Sequence, residues 1–332
     1  MSKQVATRLC LAAFSSAAFA GGREAGSLLL FPQFDSRPGS VTILTVTNTN
    51  SDTSFDYRTG LHKGTVDIEY RYINAADCSE FNRTARLTPN DTISVLAGVH
   101  DATAALGYVY VFALDPLSRR PIDFDYLIGE AVNLNTQNAI EMSFVPFVFK
   151  ALTGQGNPTD LDNDGRRDLN GLEYEGVADK FYFPRFFGQG GPAGMNSDIV
   201  LINVSGGGSF DCTVDFFTYN DNEQKFSSEY TFRCWTRVPL VAVSSATTND
   251  FLKTTIHDTD EMVGFPTIET GWLLLNGGTA SSSRKTINDP AVIAVLLEKM
   301  GGFASSALPF ETREKQFNGS LLPRGVDGDN AN

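Results

Sequence analysis

An internal duplication is the feature of this 332-residue chain that most limits how it can fold. Six short segments of the first half recur in the same order in the second half, each about 150 to 165 residues later. The matched segments are 30–34 with 182–186, 41–47 with 199–205, 65–68 with 213–216, 107–111 with 271–275, 120–123 with 284–288, and 146–147 with 309–310. Because a repeated order of matches indicates a repeated structural unit, the sequence predicts two copies of one fold.

Each copy has the pattern of a β protein. Residues 41–47 and 199–204 are short apolar runs that end at turn-forming Asn, Ser or Gly. Val66, Ile68 and Tyr70 alternate with polar residues, as expected for a strand with one buried face. Several such strands separated by turn signals favour an antiparallel β-sandwich for each copy.

One short helix is predicted in each copy. In the second copy, Asp289 can cap a helix, Pro290 suits its first turn, and an apolar run follows from 291 to 300. The Gly-Gly pair after this run would end the helix. Residues 124–134 are the weaker counterpart in the first copy. The predicted fold is therefore mainly β, with two tandem antiparallel β-sandwich domains that each contain one short helix.

The two ends of the chain and the segment between the copies are assigned separately. Residues 1–20 are predicted to be a signal peptide, because Lys3 and Arg8 precede a short apolar run that ends in a small-residue cleavage pattern. The mature protein is accordingly expected to be exported, and to be extracellular, at the cell surface or periplasmic. No later stretch approaches the ~20 apolar residues of a transmembrane helix. The predicted division is 21–150 for the first sandwich, 151–179 for a linker, 180–312 for the second sandwich and 313–332 for a flexible tail.

The linker contains a loop with the composition of a calcium site. Three aspartates alternate with other residues, and Gly165 permits a sharp turn, so the carboxylates can converge. Several carboxylates this close repel one another unless a cation lies among them. The predicted Ca²⁺ ligands are the carboxylates of Asp160, Asp162, Asp164 and Asp168 and the main-chain carbonyl of Arg166.

This loop resembles the first nine positions of the calcium loops of EF-hand, dockerin and thrombospondin type 3 repeats, and the resemblance covers the loop alone. The twelfth position, where an EF-hand has a bidentate glutamate, is Gly171, so Glu173 or Glu175 would complete the site. Arg167 replaces an apolar residue, and residues 154–158 cannot form an incoming helix. The resemblance therefore implies a structural calcium site rather than a sensor. Its place between the copies predicts that calcium orders the linker and fixes the angle between the sandwiches.

Three cysteines follow the predicted signal peptide, and an odd number in an exported protein suggests one disulfide and one free thiol. A hairpin folded about Glu223 would place Cys212 opposite Cys234 on one apolar face. The sequence therefore predicts a Cys212–Cys234 disulfide, with two buried free thiols as the alternative. Cys78 lies in a polar stretch and is predicted to be an exposed loop thiol.

The acidic composition and the absence of known catalytic sequence patterns favour a non-enzymatic role. A formal net charge of −13 repels phosphate backbones, which argues against nucleic-acid binding. The three histidines match no zinc-protease pattern, and the sequence has no Gly-x-Ser-x-Gly elbow or phosphate loop. Two weaker candidates are a second metal cluster at 257–261 and a glycosidase carboxylate pair formed by Asp123 and Asp125.

These features predict an exported, non-enzymatic structural, adhesive or surface-layer protein that is stabilised by calcium. Its expected partners are other copies of itself, with filament assembly as one variant, or cell-surface components. The first alternative is a carbohydrate-binding or enzyme-accessory module, for which Trp272 and Tyr108 are the candidate aromatic platform. The second alternative is a hydrolase whose site is assembled from residues distant in sequence.

Overall fold

The computed structural model describes residues 24–101, 103–135, 140–220, 223–253, 268–301 and 303–321. Strands account for 56% of the structure and helices for 7%, so the prediction of a mainly β fold with few short helices is confirmed. Within the described ranges, no helix is both long enough and apolar enough to cross a membrane. The predicted signal peptide and the candidate cluster at 257–261 lie outside the described residues.

The first copy is a succession of short antiparallel strands. Its elements are β1 (Leu28–Asp35), β2 (Ser40–Asn48), β3 (Phe55–Asp56), β4 (Leu61–His62), β5 (Val66–Asn74), β6 (Glu80–Leu87), β7 (Thr92–Leu96), α1 (Ala97–His100), β8 (Leu106–Leu114), β9 (Leu127–Asn135), β10 (Ile140–Phe144) and β11 (Phe147–Phe149). The linker adds two short strands, β12 (Arg167–Leu169) and β13 (Val177–Ala178).

The second copy repeats this succession and is followed by two short strands. Its elements are β14 (Lys180–Phe187), β15 (Asn196–Asn203), β16 (Asp211–Tyr219), β17 (Lys225–Arg233), β18 (Trp235–Pro239), α2 (Leu240–Val243), α3 (Asn249–Leu252), β19 (Thr270–Ser281), β20 (Thr286–Asn288), β21 (Val292–Met300), β22 (Phe303–Ala307) and β23 (Phe310–Glu311). The closing strands are β24 (Lys315–Gln316) and β25 (Gly319–Leu321). Short 3₁₀ turns occur at Pro192–Gly194, Gly207–Ser209 and Ser245–Thr247.

Each copy contributes two large sheets with matching strand order. Sheet A1 has the order β11-β1-β8-β5-β6, and sheet A2 has the equivalent order β23-β14-β19-β16-β17, with β20 beside β19. Sheet B1 has the order β10-β9-β2-β7, and sheet B2 has the equivalent order β22-β21-β15-β18. The six repeated sequence segments fall at equivalent places in the two copies, so the duplication in sequence is also a duplication in topology.

The first strand of each copy carries the same irregularity. A β-bulge interrupts the pairing of β1 with β8 and, at the equivalent place, the pairing of β14 with β19. Beyond each bulge a phenylalanine is paired with a glycine: Phe34 with Gly107, and Phe186 with Gly271. A Cβ atom on Gly107 would lie 1.8 Å from the main-chain oxygen of Ile73. Only glycine allows the strands to approach this closely.

The four sheets are arranged as a four-bladed, propeller-like ring, and not as the two β-sandwich domains that were predicted. Around the ring, β1 of A1 contacts β9 of B1, β10 of B1 contacts β22 of B2, and β21 of B2 contacts β14 of A2. Between A2 and A1, the rings of Phe181 and Phe147 meet edge to face at 6.5 Å. The buried side chains of both copies form one continuous hydrophobic core.

The burial of β1 explains why the four sheets form one ring and not two separate sandwiches. Every residue of this strand is buried, so both of its faces must be covered. The sheets of the first copy do not cover it alone, because β1 also packs against β15 and β21 of the second copy. The indole Nε1 of Trp235 donates to the main-chain oxygen of Pro32 in β1 at 2.8 Å. The two copies therefore complete one another.

Both predicted helices are strands instead. β21 occupies nearly all of the segment 291–300, and β9 occupies most of the segment 124–134. Burial is continuous from Val292 to Glu298, as in a central strand that is covered on both faces. A short apolar run does not distinguish a buried strand from a buried helix, and its Val and Ile residues favour the strand. Asp289 has a left-handed φ of 52°, which does not suit a helix N-cap.

Part of the predicted flexible tail is ordered against the linker. β25 pairs with β12, and β24 pairs with β13. Ser205 in the second copy holds this segment from the other side, because its hydroxyl donates to Asn318 O at 3.0 Å. The linker and the segment 315–321 thus form a common structure at the junction of the two copies.

Candidate metal centre

The aspartate loop lies between β11 and β12 and is fastened to both copies. Towards the first copy, Asp123 N donates to Asn157 O at 2.9 Å, and Thr159 N donates to Pro121 O at 3.1 Å. Beyond the loop, β12 pairs with β25, which follows the second copy in sequence. The loop is therefore held at both of its ends by parts of the chain that are distant in sequence.

Five of the predicted carboxylates come together in two overlapping groups. One group is Asp160, Asp162 and Glu173, and the other is Asp162, Asp164 and Asp168. Within each group, one oxygen of every carboxylate lies within 4.8 Å of the others. Ligand oxygens at about 2.3–2.6 Å from a Ca²⁺ ion lie within about 5 Å of one another. Both groups meet this condition, and they share Asp162.

Hydrogen bonds from side chain to main chain curl the loop. Asp162 Oδ1 accepts from Asp164 N at 3.1 Å, and Asp164 Oδ1 accepts from Arg166 N at 2.8 Å. Asn163 and Gly165 adopt left-handed φ angles of 61° and 82°. Glycine and asparagine adopt this conformation more readily than other residues. These turns explain how aspartates two residues apart can share one concave surface.

Glu173 reaches the cluster because the chain reverses after β12. Asn170 Oδ1 accepts hydrogen bonds from Leu172 N at 2.8 Å and from Glu173 N at 2.9 Å. Gly171, the residue that departs from the EF-hand pattern, takes a left-handed φ of 76° in this turn. Glu173 Oε1 then accepts from Leu161 N at 2.6 Å, which fixes the carboxylate beside the loop.

Burial gives Glu173 unusual acid–base behaviour. The residue is 2% exposed. This burial raises the pKa of Glu173 to about 7, against the opposing effect of the Leu161 N–H, and the Asp168 charge adds to the rise. A nearby cation would favour the ionised form of such a carboxylate. Glu175 instead accepts from Lys150 N at 3.4 Å, so Glu173 is the glutamate that the structure brings to the loop.

Two arginines neighbour the carboxylates without balancing them. Arg167 Nη2 lies 3.3 Å from Asp160 Oδ2, and Arg166 Nε lies 3.0 Å from Asp164 Oδ2. Five carboxylates against two guanidinium groups leave a net negative charge. Asp160 Oδ1 is buried and has no hydrogen-bond partner, a costly state for a carboxylate oxygen. An all-oxygen set that includes one buried carboxylate oxygen without a hydrogen-bond partner fits a hard divalent cation. The main-chain carbonyl of Arg166 remains a predicted ligand.

Arg167 connects the centre to the first copy, a role that the sequence did not reveal. The side chain is 3% exposed, and its Cζ lies 5.1 Å from the centroid of the Phe112 ring in β8. A cation over an aromatic face is attracted by the ring, more strongly when it is desolvated. In the sequence, Arg167 stood out only as a departure from the EF-hand pattern.

Asp123 and Asp125 hold the linker in place. Asp123 Oδ2 accepts from Gly154 N at 2.7 Å. Asp125 Oδ1 accepts from Ala151 N at 3.1 Å and from Ser27 Oγ at 2.7 Å. Burial raises the pKa of both carboxyl groups. These hydrogen bonds explain both aspartates structurally, so the glycosidase hypothesis is not needed to account for them.

The two candidate aromatic residues have different environments. Tyr108 is 6% exposed and belongs to the core. Trp272 is partly exposed, and its ring is stacked on that of Tyr219 with centroids 3.9 Å apart and an interplanar angle of 2°. Tyr182 lies on the neighbouring strand, with its ring centroid 6.4 Å from that of Trp272. The three rings form an aromatic row on sheet A2.

The hairpin register differs from the one on which the predicted Cys212–Cys234 disulfide was based. Cys78, Cys212 and Cys234 are free thiols in the structure. The β16–β17 register places Phe232, not Cys234, opposite Cys212, because Tyr219 and Lys225 form the pair that closes the hairpin. Cys234 lies beyond the end of β17. Cys78, predicted to be exposed, is partly buried and packs against the core.

Comparisons with known proteins assign no family to this chain. No protein-family model and no curated protein matches it. Among solved structures, it is similar to a chain in the cryo-EM atomic structure of broad bean stain virus, with 10% sequence identity over 84% of this chain and 80% of that one. The TM-score is 0.22, so this likeness carries no argument about fold or function.

Proposed function

We propose that the protein is an exported, non-enzymatic structural or adhesive protein, and that Ca²⁺ bound by the five clustered carboxylates fastens the linker at the junction of its two copies. The observation that carries this proposal is the position of the cluster. It lies where the linker meets both the first copy and the segment that follows the second copy.

Calcium would act on the segment that connects the two copies. The loop ends at β12, whose residues Arg167 to Leu169 pair with β25. On the other side, Gly156 N donates to Asp123 O at 2.8 Å. Without a cation, repulsion among the carboxylates opposes this arrangement. With one, the folded arrangement is stabilised by RT ln(1 + c/Kd), where c is the free Ca²⁺ concentration.

The geometry supports a structural site rather than a switch. A sensor of the EF-hand type opens a pair of helices, and the described residues around this loop form turns and short strands. Open, partly exposed sites of this kind typically bind Ca²⁺ with Kd of about 10⁻⁴–10⁻³ M, which suits calcium-rich extracellular surroundings. Mg²⁺ is expected to bind more weakly, since it requires near-octahedral geometry at shorter distances.

The metal proposal is tested by thermal unfolding of the mature protein in EDTA, in Mg²⁺ and across a Ca²⁺ titration. We expect Tm to keep rising with the logarithm of the Ca²⁺ concentration above Kd, and to rise less with Mg²⁺. The Ca²⁺ response should be lost in Asp162→Asn, because Asp162 belongs to both carboxylate groups. Glu229→Gln is the matched control, since Glu229 is an exposed acid on β17. A Tm that is indifferent to Ca²⁺ would overturn the metal assignment.

The structural role is tested by electron microscopy of the mature protein in Ca²⁺ and in EDTA. Fibres or sheets that require Ca²⁺ support self-assembly, and binding to a cell surface supports adhesion. Compact monomers that bind no surface would argue against the structural role.

A carbohydrate-binding module is the second candidate, and the aromatic row on sheet A2 is the observation that favours it. Aromatic rings with an accessible face can pack against sugar rings. Tyr219 covers one face of the Trp272 indole, so a sugar would have to use the side towards Tyr182. Glycan-array binding that is lost in Trp272→Ala, with Tm unchanged, would support this candidate over the structural one.

A further inference from the structure

The turn between β5 and β6 of the first copy reaches the second copy. This turn contains Cys78, which has a left-handed φ of 57°. Its side chain packs closely on Gly208, in the 3₁₀ turn before β16. A Cβ atom on Gly208 would lie 2.9 Å from Cys78 Cβ and 3.3 Å from Cys78 Sγ. Cys78 is thus seated against residues that are far away in the sequence.

Cys234 lies at the same seam on the side of the second copy. It stands between β17 and β18, where the chain passes from sheet A2 to sheet B2, with a left-handed φ of 60°. Its main-chain oxygen accepts from Asn203 N at 2.8 Å. Asn203 is five residues before Gly208, against which Cys78 packs, so the two cysteines lie at the same stretch of the seam. Each thiol changes the pKa of the other, as expected for two cysteines that face each other there.

We propose that Cys78 and Cys234 form a disulfide bond that joins the two copies of the fold covalently. The bond would lie at a seam that other contacts already define. Trp235 Nε1 donates to Pro32 O at 2.8 Å, and Arg237 Nη1 lies 3.4 Å from Gln33 Oε1. The cross-link would join two side chains that already lie on this seam.

The reaction is a thiol–disulfide exchange with an external disulfide, such as glutathione disulfide. The Cys78 thiolate attacks one sulfur of the oxidant, releases one thiolate and forms a mixed disulfide. Cys234 then loses its proton and attacks the Cys78 sulfur, which releases the second thiol. Two protein thiols are oxidised to one disulfide, and one external disulfide is reduced to two thiols.

The surroundings assign different roles to the two sulfurs. The hydrogen bond from the Cys234 thiol lowers the pKa of Cys78, against the effect of burial, and Arg233 lowers it further. The same contact, together with burial, raises the pKa of Cys234. Cys78 is the more exposed of the two residues. It is therefore the attacking thiolate, and Cys234 is the resolving cysteine.

Cys212 is left outside this pair. It is fully buried, and its partner across the hairpin is Phe232. Burial raises the pKa of Cys212 to about 12, which disfavours the thiolate that exchange requires. The proposal therefore differs from the pairing predicted from the sequence, because Cys78, and not Cys212, is the partner of Cys234.

Peptide mapping without reductant tests the cross-link. The protein is equilibrated with glutathione and glutathione disulfide, alkylated and digested with trypsin. We expect the peptide 72–83, which contains Cys78, to be joined to the peptide 234–237, and the peptide 186–225 to carry an alkylated Cys212. Reduction should separate the joined peptides. Alkylation of all three cysteines, or a link between Cys212 and Cys234, would overturn the proposal.

Two variants complete the test. Cys212→Ala should retain the joined peptides, and Cys78→Ala should lose them and leave Cys234 open to alkylation after denaturation. The wild-type map decides the question even if one variant folds poorly. Because no metal enters this experiment, its outcome is independent of the calcium proposal.

Discussion

Trp235 donates from its indole Nε1 to the main-chain oxygen of Pro32, at 2.8 Å, across the seam between the two copies. Both residues are buried, and they are 203 positions apart in sequence. Pro32 lies within the bulge of β1, where the ladder with β8 is interrupted. The bulge thus leaves a carbonyl that the second copy satisfies, so the irregularity in one copy has a partner in the other.

Replacing Trp235 with Phe should destabilise the whole chain and not the second copy alone. The variant keeps an aromatic ring but leaves the Pro32 oxygen buried without a donor, at a cost of about 1–3 kcal/mol. Guanidinium unfolding followed by circular dichroism measures the loss. Trp272→Phe is the control, since Trp272 is partly exposed on sheet A2. Two separate unfolding transitions in the wild-type protein would contradict a shared core.

Replacement of Gly107 in β8, or of the equivalent Gly271 in β19, should destabilise the fold for a steric reason. In Gly107→Ala, the new methyl group would meet the oxygen of Ile73 at 1.8 Å, and in Gly271→Ala it would meet the oxygen of Tyr219 at 2.6 Å. Strand separation at either place should cost about 2–4 kcal/mol.

Gly156→Ala is the matched control for these glycines. A Cβ atom at Gly156 has no neighbour within 4 Å, so only backbone strain of about 1 kcal/mol at its φ of 80° is expected. Comparison of the three free energies of unfolding separates steric cost from strain. Equal losses in all three variants would show that the close approach is not the cause.

Much of the fold could be predicted from the sequence because the duplication leaves a direct trace. The β class and the order of the repeated segments follow from alternation, turn residues and repeated anchors. The predicted helix at 291–300 could not be told from a strand, since a strand buried on both faces has no alternation. The ring could not be predicted either, because a contact such as Trp235 with Pro32 has no periodic signal in either segment.

The candidate metal site, like the fold, could be predicted from the sequence only in part. Spacing and glycine placement were enough to select the four aspartates. The choice between Glu173 and Glu175 depends on a turn built by Asn170 and Gly171, and only the folded chain shows which glutamate the turn presents. The contribution of Arg167 depends on Phe112, which lies in a different sheet.

Glu173 should make the metal-free protein less stable as the pH rises. Its pKa is raised to about 7 in the folded state, above the ordinary value of 4.5. The neutral form is therefore favoured by folding, and its contribution is full below pH 4.5 and is lost as the pH rises to about 7. The size of this contribution is about 2–3 kcal/mol.

Urea unfolding in EDTA between pH 4 and pH 8 measures this contribution of Glu173. Glu173→Gln should flatten that part of the profile, and the exposed Glu229→Gln should leave it unchanged. A wild-type profile that rises with pH over this interval, and that Glu173→Gln leaves unaltered, would contradict the assignment.

Removal of calcium should loosen the junction selectively. The paired strands β12 and β25 are short and depend on the loop beside them, whereas β5 and β8 lie inside sheet A1. We expect EDTA to increase amide hydrogen exchange by about tenfold or more in residues 167–169 and 319–321, with little change in residues 66–74. Mass spectrometry of the exchanged peptides provides the measurement. Uniform exchange changes throughout the chain would mean that calcium acts on global stability and not on the junction.

Oxidation of Cys78 and Cys234 to a disulfide should stabilise the chain more than the Trp235–Pro32 or the Arg237–Gln33 contact at the same seam. The bond closes a loop of roughly 150 residues, and the chain-entropy model gives about 5 kcal/mol for a loop of this size, because the cross-link restricts the unfolded state. Denaturant unfolding of oxidised and reduced protein at equal calcium concentration measures the difference. Cys212→Ala should show the same difference, since Cys212 takes no part in the bond. Equal stability of the two redox forms, with the cross-link verified by peptide mapping, would mean that strain in the folded state offsets the entropic gain.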